Sequence, residues 1–192
     1  MKFNGSSSVE EDIIAAGRLL WDKGLVTGYN GNLSARTAEG TVCITGAGTA
    51  IGDLAAGGLS YLTADGGRVK GAEPSSERGV HLAIYQAFPE TLCVAHTHTP
   101  YINGFFMDHD IFVPETFEAE LYLGRVRGII QSRPNVTDFP PVIEALRLTP
   151  VVALCRHGVI AMGRSFYDAI SLVQYLEEAI KTAFIRRGFR PM

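Results

Sequence analysis

The chain is 192 residues long and 46% hydrophobic, with 17 basic against 20 acidic side chains, a net charge of −3 and a sequence pI of about 5.9. This is the size of one domain, 1–192, able to bury its own core without disulfides or a structural metal. The balance excludes a field that would draw in nucleic acid or an anionic membrane. No apolar run approaches the roughly 20 residues of a bilayer span, and three scattered cysteines, Cys43, Cys93 and Cys155, fit a reducing, cytoplasmic compartment.

Met1–Ser6 lacks the apolar core of a signal peptide. Ser8-Val9-Glu10-Glu11 reads as a capping box for a first helix; Ile13, Ile14, Leu19 and Leu20 follow helical spacing, and Lys23-Gly24 supplies the stop. A turn-rich loop, Gly28–Asn32, leads to a short strand at Leu33–Arg36. The β-branched run Thr41–Thr45 then enters Gly46-Ala47-Gly48. Leu59–Thr63 and Arg68–Lys70 flank the turn Ala64-Asp65-Gly66-Gly67 and predict a hairpin. Pro74-Ser75-Ser76 predicts the start of a second helix through about Ala87, with both hydroxyls in its first turn. A strand, Cys93–His98, follows, then a helix over Pro100–Met107. The stretch 108–138 has no single period, and Leu121–Ile130 reads as strand, helix or both. Phe139-Pro140-Pro141 introduces a helix to about Leu148. Two strands, Val151–Cys155 and Val159–Met162, are joined by His157-Gly158. A long helix runs from the Ser165 cap to about Arg187, its cationic end suited to the macrodipole. The sum is one α/β domain with a mostly antiparallel sheet flanked by helices.

The chemistry concentrates at strand ends. His96 and His98, two residues apart on a strand, point to the same face and offer two imidazoles side by side. His157 ends another apolar strand. Three such ligands with an open position are what a catalytic zinc needs. Three small, glycine- or hydroxyl-bearing loops accompany them: Gly31-Asn32-Leu33-Ser34, Thr45-Gly46-Ala47-Gly48 and Ser75-Ser76-Glu77. Their amides and hydroxyls suit a phosphate, although tight turns and simple capping use the same residues. Glu77 is placed either to ligate the ion and act as its base or to sit, solvated, at a helix start. His81, a helical turn later, is a candidate hydrogen-bond partner for the site. Cys93 and Cys155 read as core residues rather than ligands.

Gly31-Asn32-x-Ser34-x-Arg36, Thr45-Gly46, Pro74-Ser75-Ser76-Glu77, His96-x-His98 and His157-Gly158 together resemble the class II aldolase/adducin family in order and approximate spacing, over nearly the whole chain. The resemblance implies a three-layer α/β/α fold around a largely antiparallel sheet. It implies Zn2+, or another divalent transition metal, on His96, His98 and His157. It implies substrate phosphate on Asn32, Thr45, Gly46, Ser75 and Ser76, and acid/base work by Glu77. It also implies a homotetramer with sites at subunit boundaries. The activity it implies is aldol cleavage of a phosphorylated ketose through an enediolate, releasing dihydroxyacetone phosphate and an aldehyde. The epimerase branch typically carries aspartate at the position of Glu77, which points away from epimerisation.

The chain departs from the aldolase branch in one respect. Where that branch places a tyrosine from the adjacent subunit, this chain reads Val113-Pro114-Glu115-Thr116-Phe117-Glu118. Glu115, Glu118 and Tyr122 are the candidates for a second acid/base, against the plain reading of a solvated acidic surface. The chain also ends soon after the last helix, without the longer tail of some relatives. A dehydratase or decarboxylase acting on a related sugar phosphate or keto acid is therefore the enzymatic alternative. An adducin-like interaction module is the non-enzymatic one.

Overall fold

The computed structural model describes residues 8–189, so the reading of Met1–Ser6 lies outside the described residues. The capping box forms as predicted. Ser8 Oγ accepts the Glu11 N–H at 3.2 Å and the Glu11 carboxylate accepts the Ser8 N–H at 2.8 Å, opening helix α1 (Val9–Asp22). Strands β1 (Asn32–Arg36) and β2 (Val42–Thr45) follow, then two short 3₁₀ turns and the hairpin β3 (Leu59–Leu62) and β4 (Arg68–Gly71). Helix α2 (Arg78–Ala87) leads to β5 (Cys93–Thr97) and α3 (Pro100–Phe105). The ambiguous stretch resolves into β6 (Ile111–Phe112), α4 (Phe117–Leu123) and β7 (Val126–Ile130). Helix α5 (Pro140–Leu146), strands β8 (Val151–Cys155) and β9 (Gly158–Gly163), and helix α6 (Phe166–Gly188) complete the order.

Among the described residues nine strands form one sheet in the order β4-β3-β2-β1-β5-β9-β8-β7-β6. Every neighbouring pair is antiparallel except β7 with β8. Strand alternation sorts side chains to the two faces. Leu33, Ala35, Cys93, Ala95, Val159 and Ala161 join the core beneath α1, α3, α4 and α6, whereas Val94, Val152, Leu154, Ile160 and Met162 join the core beneath α2 and α5. The predicted three-layer α/β/α arrangement is what forms. Helix α6 holds the larger layer with a stripe at three- and four-residue spacing, Phe166, Ala169, Ile170, Val173, Leu176 and Ile180. Burial of each large apolar side chain there is worth about 1.5–3 kcal/mol.

One boundary differs with consequences for the site. Helix α2 begins at Arg78, with Glu77 as its cap, so Ser75 and Ser76 do not lie in its first turn. The reason is local: the Ser75 hydroxyl accepts the Glu77 N–H at 3.2 Å and the Ser75 carbonyl accepts the Arg78 N–H at 3.1 Å. That hydroxyl-stabilised turn competes with helix and postpones it.

Candidate metal centre and cleft

Alternation on β5 puts His96 on the α2 side of the sheet, with Asn32 of β1 opposite it on one flank and Ile160 of β9 on the other. His98 lies just past the strand end. His157 sits in the tight β8–β9 connection, reached through Arg156, whose φ is +61°. The turn folds back only because Gly158 has no side chain. A Cβ there would lie 2.4 Å from the Thr97 carbonyl oxygen and 3.0 Å from ring atoms of both His96 and His98.

The three imidazoles converge. Their centroids stand 4.7–4.9 Å apart with steeply inclined planes, and one ligand nitrogen from each falls within 4.8 Å of the others. His96 Nδ1 lies 3.0 Å from the Val159 carbonyl, so it donates there and leaves Nε2 bare. His98 Nε2 is 2.9 Å from that Nε2. A tetrahedral zinc would hold two such nitrogens about 3.3 Å apart, so a small opening accommodates an ion. Burial, reinforced by neighbouring imidazoles, keeps His96 well below its usual range and brings His98 down to about 4. Burial also lowers His157, whose Nδ1 is enclosed with no hydrogen-bond partner among the described residues. Neutral imidazoles with free lone pairs, one orphaned ring nitrogen and a backbone-fixed tautomer fit a borderline-soft divalent cation.

The cleft in front of this cluster is walled by Asn32, Gly46, Ser75, Ser76, Glu77 and Asn135. The loops after β2 and before α2 are knit by backbone bonds from Ser75 N–H to Thr45 O at 3.1 Å and from Ala47 N–H to Glu73 O at 2.8 Å. Gly46 is required there, since a Cβ would sit 2.9 Å from the Gly58 carbonyl oxygen and 3.3 Å from that of Glu73. Thr45 stands behind the wall rather than in it, its hydroxyl accepting the Leu33 N–H at 3.2 Å. Glu77 is buried and holds, among the described residues, a single amide, the Val136 N–H, 3.3 Å from each carboxylate oxygen. Burial raises its carboxyl above the ordinary range and the amide pulls it partly back.

Asn135 and the Val136 amide were not legible in the sequence. They lie in a loop without periodicity, and only the turn-prone Pro134-Asn135 hints at a bend there. Glu115, Glu118 and Tyr122 do not reach this cleft within one chain. Glu115 pairs with Arg186 of α6 at 2.8 Å, Glu118 lies in the first turn of α4, and Tyr122 stacks on Tyr175 at 4.7 Å. Cys43 and Cys93 are buried core thiols, raised by burial, and Cys155 packs against the α6-side core, outside the imidazole cluster.

Comparison with known proteins converges on one group. The model of the class II aldolase and adducin N-terminal domain matches residues 11–184. The chain is 29% identical over 185 residues to 3-oxo-tetronate 4-phosphate decarboxylase of Haemophilus influenzae, covering 93% of this chain and 88% of the relative. It is 30% identical over 184 residues to L-ribulose-5-phosphate 4-epimerase of Salmonella paratyphi C, covering 88% and 80%. The solved structure of L-fuculose-1-phosphate aldolase from Thermus thermophilus superposes with a TM-score of 0.85 at 25% identity, over 96% of this chain and 98% of that one.

Proposed function

Since the chain belongs to the class II aldolase and adducin family, we propose that it is a metal-dependent carbon–carbon lyase that decarboxylates a phosphorylated 3-oxo acid. The observation that carries this reading is the pairing, in one cleft, of a ligand-competent imidazole cluster with a single buried carboxyl of raised pKa, Glu77. A divalent ion on His96, His98 and His157, zinc being the first choice, would supply Lewis-acid polarisation of the substrate's carbonyl and neighbouring hydroxyl oxygens.

The chain's own groups account for the rest. The Asn32 amide, the Gly46 loop and the Ser75 and Ser76 hydroxyls hold the phosphate and orient the bond that breaks. In a 3-oxo-tetronate 4-phosphate, the C1–C2 bond breaks, CO2 leaves, and the electron pair passes into an enediolate across C2 and C3. Burial favours the protonated form of Glu77, which delivers its proton to C2 and is reprotonated from water; the product is dihydroxyacetone phosphate. Decarboxylation asks less of the cleft than aldol cleavage, because CO2 departs without surrendering a proton. An aldol substrate must also lose a hydroxyl proton as the aldehyde forms, and the aldolase branch assigns that work to a tyrosine absent from Val113–Glu118.

Aldol cleavage remains the second reading, because it passes through the same enediolate and the fold neighbour from Thermus thermophilus performs it on L-fuculose 1-phosphate. In the tetramer that the family resemblance implies, Glu115, Glu118 and Tyr122, which lie beside the exposed Phe117 and Leu121, would face a neighbouring subunit's cleft. The deciding experiment offers metal-loaded protein a 3-oxo-tetronate 4-phosphate and a panel of ketose 1-phosphates, scoring CO2, aldehyde and dihydroxyacetone phosphate. CO2 with dihydroxyacetone phosphate is expected. Aldehyde release alone would move the assignment to an aldolase, and no product from any of them would refute the lyase reading.

A further inference from the structure

Beneath the phosphate wall lies a buried polar chain that the proposed reaction does not itself use. Tyr85 Oη is 2.9 Å from Ser34 Oγ, Ser34 Oγ is 2.6 Å from His81 Nδ1, and His81 Nε2 is 2.5 Å from Asn32 Oδ1. All four residues are buried, His81 and Ser34 completely. They come together because Asn32 and Ser34 alternate onto the α2 face of β1, while His81 and Tyr85 stand one helical turn apart on the inner face of α2.

Such a chain can carry its protons in two directions. Running from Tyr85, the phenol donates to Ser34, the serine hydroxyl donates to His81 Nδ1, and His81 Nε2–H donates to the Asn32 carbonyl oxygen. Every hydrogen in the chain is then used, and the Asn32 NH2 is left facing the cleft. Running the other way, the Asn32 amide is turned over, His81 carries its proton on Nδ1, and Ser34 donates to Tyr85. The phenol hydrogen is then stranded, because Ser34 is the hydrogen-bond partner of Tyr85 Oη among the described residues. A stranded buried donor costs the full desolvation of that group, whereas an unused lone pair on a phenol costs little. Among the described residues the His81 ring has no acidic partner, and burial brings it down to about 3, so at neutral pH it holds one ring proton and must choose.

We infer that Tyr85, Ser34 and His81 form a one-way hydrogen-bond relay that locks the Asn32 amide with its two N–H donors towards the cleft, making it a reader of fully ionised phosphate. A phosphate dianion only accepts hydrogen bonds, so an NH2 group attracts it and a carbonyl in the same place repels it. His81 is thus a positioning residue: it touches Asn32, not the ligand. The inference deepens the reading of the site as one that takes a phosphorylated substrate, and rests on that reading for its biological meaning.

The test is the ring tautomer, read by ¹⁵N–¹H correlation on full-length protein labelled at histidine, with the His81 signals identified by their loss in His81→Gln. A proton on Nε2 and a bare Nδ1 are expected; the reverse overturns the inference. In Tyr85→Phe the reverse order would strand the Ser34 hydrogen, whose remaining acceptor among the described residues is His81 Nδ1, so the Nε2–H tautomer should persist, and an Nδ1–H signal in that variant would overturn the one-way order. Inorganic phosphate binding supplies the second readout. His81→Leu is expected to weaken it roughly ten- to hundredfold at unchanged metal content. His81→Gln, which keeps a donor for Asn32, should recover most of the loss, whereas equal phosphate binding in all three proteins would overturn the inference. A protein with the expected tautomer and phosphate binding that processes no sugar phosphate would leave the relay standing and refute the lyase reading instead.

Discussion

Two glutamates of this chain are equally hidden from solvent, Glu77 at 6% and Glu177 at 7% exposure, and they are built for opposite tasks. Glu177, on α6, receives the Tyr101 and Ile102 N–H groups at 3.1 and 2.9 Å and so caps α3, the helix that starts two residues after His98. Two aligned amides at a helix start satisfy a buried carboxylate and the helix together. Glu77 has one amide, shared at 3.3 Å between both oxygens, and the rest of its surroundings disfavour its charge. Burial alone therefore does not distinguish a structural carboxylate from a reactive one; the number of donors assigned to it does.

Four substitutions or titrations would break or sharpen that contrast. Removing a ligand should have the largest effect: His157→Ala is expected to abolish stoichiometric metal binding and, with it, turnover, while circular dichroism reports an intact fold. Glu77→Gln should then lower kcat by about 10²–10⁴-fold with metal content unchanged. Because a carboxyl raised on folding withdraws stability once pH exceeds its unfolded value, the same substitution should hold or raise thermal stability above pH 4.5. Glu177→Gln should do the converse. It leaves a buried amide N–H facing an NH2 and is expected to cost about 1–3 kcal/mol, seen as a fall of several degrees in Tm, with kcat nearly kept in the folded fraction. If Glu177→Gln instead matched Glu77→Gln in kcat, the division of labour would be wrong.

The last test is the pH dependence of the metal-free protein. His81 is neutral when folded, with a pKa of about 3 against 6.5 for the free side chain. The unfolded chain therefore takes up a proton first, and stability that is full above pH 6.5 is lost as pH falls towards 3. The slope from this one group is about 1.4 kcal/mol per pH unit. Chemical denaturation between pH 6.5 and 4.5 should show that component reduced in His81→Gln.

How much of this was legible beforehand follows from the range over which each signal acts. The capping box at Ser8, the β-branched run Thr41–Thr45, the β-prone run before His96 and the apolar run at Val151–Cys155 are local, and each produced the element it predicts, with β2 starting at Val42 and β5 stopping at Thr97, one residue short of His98. The start of α2 was misplaced because a serine that favours a helix start also favours a competing turn, and Ser75 makes the turn. The stretch 108–138 resisted reading because only Gly124 and Arg125 separate α4 from β7. In addition β7, the strand paired in parallel with β8, is only partly covered. The Val136 amide on Glu77 has no sequence signature at all: a backbone N–H is common to every residue but proline, and only the fold selects this one.

The two hairpins differ in what they can tolerate. The β3–β4 connection passes through Ala64–Gly67 at the surface, and an added residue there would lengthen a solvent-facing tip and little else. The β8–β9 connection carries His157 at its apex, with Gly158 pressed against the Thr97 carbonyl. A single inserted residue would slip the imidazole out of line or flip the inward faces of a central strand. Lineages that diversify by loop growth are thus free to elaborate the first tip and barred from the second, so the length of the β8–β9 turn is a more demanding mark of a working relative than the identity of the residues around it.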